Sequence, residues 1–85
     1  MKKNLNYKEM TLFLYSLKNF TPSKRVRFHY LLKGRGDEEG ILKEINAKQV
    51  GGGVILIPTK KEDTLKEIFQ LWKIRYKTKR GLFES

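Results

Sequence analysis

The sequence predicts a small α+β domain, with a three-stranded sheet packed by helices in the order α-β-α-β-α-β. Three observations carry this expectation. Residues 24–32 and 74–79 alternate apolar and cationic side chains with the period of two that marks a strand. Val54-Ile55-Leu56-Ile57 is a continuous aliphatic run, as in a central strand buried on both faces. Two other segments repeat apolar residues at helical spacing behind a capping-box signature.

The first expected element is a helix from Tyr7 to about Asn19. Asn6 and Glu9 have capping-box spacing, and Met10, Phe13, Leu14 and Leu17 share one helical face. Thr21-Pro22-Ser23 is read as its terminator. In the strand expected over Lys24 to Leu32, Val26, Phe28, Tyr30 and Leu32 point one way. Arg25, Arg27, His29 and Leu31 point the other. Lys33 to Gly36 reads as a basic, glycine-punctuated loop.

Asp37 is expected to cap a short second helix, with Glu38 and Glu39 in its first turn and Ile41, Leu42 and Ile45 on its apolar face. Gly51-Gly52-Gly53 would end that helix. Pro58 closes the aliphatic strand. Thr59 with Glu62 opens a third helix to about Lys73, striped by Leu65, Ile68, Phe69 and Trp72. The last strand carries Ile74, Tyr76 and Thr78 against Arg75, Lys77 and Lys79, and ends near Gly81. Helical connections between successive strands favour parallel pairing; without the short second helix, the first two strands would be antiparallel.

Eighty-five residues imply one domain, spanning 1–85, with a thin core. Five Phe, four Tyr and one Trp are too many aromatics for a disordered chain. The absence of cysteine excludes disulfides, thiol nucleophiles and Cys-based zinc sites. The start, MKKNLNYKEM, lacks the apolar run of a signal peptide, and no stretch approaches the roughly 20 residues of a membrane span. The expected setting is cytoplasmic, with no membrane partner and no cofactor.

The formal net charge is +10, which points to an anionic partner, most often nucleic acid, RNA or DNA. The charge is segregated. Met10 to Gly36 holds six cations and no acid, and Ile68 to Phe83 holds five cations and no acid. The candidate binding residues are Lys24, Arg25, Arg27, His29, Lys33, Arg35, Lys73, Arg75, Lys77, Lys79 and Arg80. On the expected sheet, Arg25, Arg27 and His29 would share a face with Arg75, Lys77 and Lys79. Two aliphatics of the central strand would lie between them. Such a face meets phosphates and releases counterions with little sequence preference. Phe28, Tyr30, Phe69, Trp72 and Tyr76 fall on expected core faces, and nothing positions the freer Tyr7, Tyr15 and Phe83, so base stacking is not expected.

Other chemistries fit the residues less well. Gly34, Gly36 and Gly40 miss the spacing of a dinucleotide loop, and Asp37-Glu38-Glu39 would repel a phosphate. A lone His29 without a placed nucleophile argues against an enzyme. Asp37, Glu38 and Glu39 are the only tight carboxylate cluster for a metal-dependent nuclease, and helix-start charge explains them more simply. Arg35-Gly36-Asp37 is a chance match to an adhesion tripeptide. The alternative to nucleic acid is a protein partner, with the basic face docked on an acidic surface or an apolar first helix joining a homodimer.

Overall fold

Along residues 7–15, Thr11, Phe13 and Tyr15 alternate with Met10, Leu12 and Leu14, so both faces of an extended chain are apolar. A strand between two others suits that pattern. In the computed structural model, which describes residues 7–84, this segment is strand β1, Tyr7–Tyr15, and not the expected helix. Lys2, Lys3, Asn6 and Ser85 lie outside the described residues.

The second expectation also inverts. Pro22–Lys33 is helix α1, not a strand. Thr21-Pro22 starts this helix instead of ending another. The Thr21 hydroxyl accepts from the Lys24 backbone N–H at 3.2 Å, and Pro22 occupies the first turn, where its missing N–H is harmless. Phe28 and Leu32, four residues apart, are fully buried, while Val26 and Tyr30 stay exposed. Gly34 follows the helix at φ 86°, a left-handed value that favours glycine.

Gly34–Arg35 (β2) and Glu38–Glu39 (β3) then form a small hairpin, so Asp37 caps no helix. Helix α2 is one turn, Ile41–Glu44, capped by Gly40. Strand β4, Lys48–Gly51, returns through the glycine turn into β5, Val54–Pro58. The three glycines therefore close a hairpin. Gly53 has φ 78°, and its carbonyl accepts from Tyr15 N at 2.9 Å.

A 3-10 turn at Thr59–Lys61 leads into helix α3, Glu62–Leu71, which buries Leu65 and Phe69 as its stripe predicts. Strand β6 runs Tyr76–Glu84, beyond the expected end at Gly81.

The main sheet is four-stranded, in the order β4-β5-β1-β6, and every pairing is antiparallel. This replaces the expected three-stranded parallel arrangement; the α+β class of a small domain stands. The core lies on one face. Phe13, Ile55 and Ile57 from the sheet meet Phe28 and Leu32 of α1, Leu42 of α2 and Leu65 and Phe69 of α3. Phe69 lies 5.0 Å from Tyr15, 5.3 Å from Tyr76, 5.5 Å from Phe13 and 6.1 Å from Phe28, centroid to centroid. Among the described residues no helix is long and apolar enough to cross a membrane.

Removing the ring at the centre of this cluster creates a cavity its neighbours cannot fill. Phe69→Ala is expected to lower unfolding free energy by about 3–5 kcal/mol in urea titration, against about 0.5 kcal/mol or less for Val26→Ala on the exposed side of α1.

Candidate nucleic-acid interface

All three helices cover one face of the sheet, so the other face is open. Strand registers show what it presents. Lys48 of β4 pairs with Leu56 of β5, Leu56 with Leu12 of β1, and Leu12 with Lys79 of β6. One row across the sheet therefore reads Lys48–Leu56–Leu12–Lys79. The next joins Val54, Leu14 and Lys77, and a third joins Pro58, Met10 and Gly81. Beyond them Lys8 pairs with Phe83.

Three properties follow. The middle of the face is an aliphatic floor of Met10, Leu12, Leu14, Val54 and Leu56, each half-buried and none packed into the core. Both flanks carry exposed lysines, separated by three strand spacings, about 14 Å. Among the described residues no carboxylate lies on these rows, because Glu9 has the opposite parity on β1.

One end of the face continues the charge. Arg75 and Lys77 line a groove with Leu14 and Ser16, and Lys18 and Lys73 line a second with Asn19, Phe20 and Arg75. Arg25 reaches the same loop, donating from Nη2 to the Leu17 carbonyl at 3.3 Å. The two basic segments of the chain thus meet at this loop.

They do not share a face as expected. Arg25, Arg27, His29 and Lys33 lie on α1, on the helical side of the sheet from Lys77 and Lys79. A helix turns its odd-numbered residues through many directions, so the strand-like row of cations dissolves. Lys24 is half-buried, with its ammonium 4.4 Å from the Phe20 ring centroid. The Arg35 guanidinium lies 5.0 Å from the Tyr30 ring centroid. Lys73 is exposed at φ 57°, just past the end of α3.

Arg80 has a different office. It stands opposite Thr11, on the helical face of β6, and grips Glu62 at the start of α3. Its Nε donates to Glu62 Oε2 at 3.2 Å, and its Nη2 donates to Oε1. Thr11, fully buried, donates to Glu62 Oε2 at 2.7 Å and shares a 2.9 Å hydroxyl contact with Thr59. Lys66 adds a longer bond, 3.4 Å. Glu62 is itself buried, and these donors compensate its charge. The Arg80 and Thr11 hydrogen bonds hold its carboxyl down at about 2. The same pairing raises the Arg80 guanidinium above its usual value. Arg80 is thus a tie between sheet and helix.

The open face owes several members to positions that sequence periodicity did not single out. Lys48 and Lys8 sit outside the two acid-free segments, and Leu12 and Leu14 belong to the stretch read as a helix. The usable signal was the two-sided apolar alternation of residues 10–15. Among the described residues no group of three or more His, Cys, Asp or Glu is placed to hold a metal ion. Glu39 pairs instead with Lys43 at 3.0 Å. No family model matches the chain, and no curated protein or solved structure matches it either.

The Glu62 tie sets an acid limit. A carboxyl held at about 2 in the fold, against an ordinary 4.5, binds its proton more weakly folded than unfolded. Its contribution is complete above about 4.5 and is lost as pH falls toward 2. Glu62→Gln is expected to be less stable at neutral pH and to lose less stability across that window, read by urea titration at stepped pH.

Proposed function

We propose that the protein binds the phosphate backbone of nucleic acid through the open face of its sheet, as a non-enzymatic module with little sequence preference. The observation that carries this reading is the row Lys48–Leu56–Leu12–Lys79, cationic at both ends, apolar in the middle and without a carboxylate on the described face. Lysines on the two flanks suit phosphates on either side of an aliphatic floor that lies against sugars. Charge neutralisation with counterion release supplies the affinity. The floor between Lys48 and Lys79 is aliphatic, and Phe83 beside Gly81 is a single ring at its end, so stacking contributes little and sequence is poorly read.

Charge also selects among partners. An uncovered aliphatic sheet face invites protein contact. A second copy would bring Lys48, Lys77 and Lys79 against the same lysines, and like charges at close range oppose that pairing. An acidic protein surface satisfies the same charges and is the second reading, favoured by the aliphatic floor. Nucleic acid is preferred because the whole chain is strongly basic and the cations continue around the loop at residues 16–20.

Binding to a mixed-sequence duplex, followed by fluorescence anisotropy over a range of salt, is expected to weaken steeply as salt rises. Lys48→Ala/Lys77→Ala/Lys79→Ala should reduce the slope of log K against log salt by about 2–3, roughly one for each lost phosphate contact. Lys43→Ala, whose side chain pairs with Glu39 on the helical side, should leave the slope unchanged. Absence of binding at low salt to DNA and RNA alike overturns the reading. Capture by an acidic polypeptide that nucleic acid fails to displace supports the second one.

A further inference from the structure

Four of the eleven cations in the two acid-free segments, Lys24, Arg25, Arg27 and Lys33, lie on α1, away from the open face. This helix contains no acidic residue. Phe28 and Leu32 turn into the core, while Arg27, His29, Tyr30 and Lys33 are exposed. Just past the helix the Arg35 guanidinium lies over the Tyr30 ring, which holds it in place beside that surface. The nearest acids belong to the β2–β3 hairpin. Glu39 is engaged by Lys43; Glu38 is opposite Arg35 in the hairpin register without an ion pair between them, and Glu38 and Asp37 are exposed on the hairpin side of Arg35.

The core and the helix itself lie between this surface and the open face, and an α-helix with side chains is about 10–12 Å thick. A straight nucleic acid seated on the lysine rows therefore does not touch Arg27, Lys33 or Arg35. Reaching them would need the duplex to bend around the domain, which stiff DNA resists.

We infer that the outward side of α1 is a second, separate phosphate-binding surface, so that one protein molecule bridges two nucleic-acid segments. The inference rests on the proposed nucleic-acid reading of the open face. Its occupant is the backbone of a second segment, since α1 offers arginine and lysine without a carboxylate and one exposed tyrosine beside them. Bridging gives the protein a role that single-site binding lacks: it draws separate strands or duplexes together.

A two-duplex capture experiment tests this with the full chain. One mixed-sequence DNA duplex is immobilised, the protein is bound, and a fluorescent duplex of different sequence is added. The wild-type protein is expected to recruit the second duplex. Arg27→Ala/Lys33→Ala/Arg35→Ala, checked for native circular dichroism, should hold the first duplex with Kd changed less than about threefold, yet recruit the second at least about tenfold less. The lysine-row variant Lys48→Ala/Lys77→Ala/Lys79→Ala should weaken both. Intact binding of one duplex with no recruitment of a second by the wild-type chain overturns the bridging inference alone. Recruitment that survives the α1 substitutions also overturns it, since the second duplex would then be held elsewhere or by a second copy. Loss of first-duplex affinity by more than about tenfold in each variant shows one continuous surface and overturns it too. No binding of either duplex removes this inference together with the reading beneath it.

Discussion

Phe69 is the contact on which the architecture depends. Its ring stands within aromatic contact distance of Phe13 and Tyr15 on β1, Tyr76 on β6 and Phe28 on α1. One side chain of α3 therefore joins two strands and another helix. A chain of this length buries a limited fraction of its surface and fills one core. Because the aromatic mass gathers on one side of the sheet, the helices gather there as well. The other side is left with residues too aliphatic for a wholly wet surface and too few to make a second core.

That asymmetry shapes the open face. The strands bring Leu12, Leu14, Val54 and Leu56 into a floor because they pair antiparallel in one register; a shift of one residue would bury the lysines and expose Phe13. The register is held by polar groups as well as by rings. Glu62 is gripped by Thr11 of β1 and Arg80 of β6, so the start of α3 is locked to two neighbouring strands. A buried carboxylate with several donors is costly to misplace, which makes this tie a device of alignment. The same arrangement withdraws Arg80 from the open face and leaves Lys77 and Lys79 on it.

The physical content of the sequence was uneven in how openly it could be read. Leu65, Ile68, Phe69 and Trp72 announce α3 because their spacing fits a helix and little else, and Val54 to Ile57 announces a strand through its aliphatic β-branching. Residues 10–17 fit both periods, since an apolar stretch on two faces of a strand also shows an i, i+3, i+4 stripe. Residues 24–32 mislead in the opposite direction. Their alternation is strand-like, yet Phe28 and Leu32 are spaced for a helix, and Thr21-Pro22 makes a good helix start as readily as a stop. Of the candidate site, Lys77 and Lys79 were legible from their alternation. Lys48 was not, because only the hairpin closed by Gly53 sets it across from Leu56.

By itself the sequence determined the chemistry available: a strongly basic chain without cysteine, with eleven of its nineteen lysines and arginines in two acid-free segments. Those are properties of composition and order along the chain, and no folding changes them. Which cations stand together was decided only by tertiary structure. An antiparallel order of β4-β5-β1-β6 sets Lys48 and Lys79 at opposite flanks of one row, while the turn of a helix sends Arg27 and Lys33 to the far side of the core. Periodicity reports which residues share an element's face. Which faces remain uncovered depends on contacts between residues distant in sequence, such as Phe13 with Phe69 and Thr11 with Glu62.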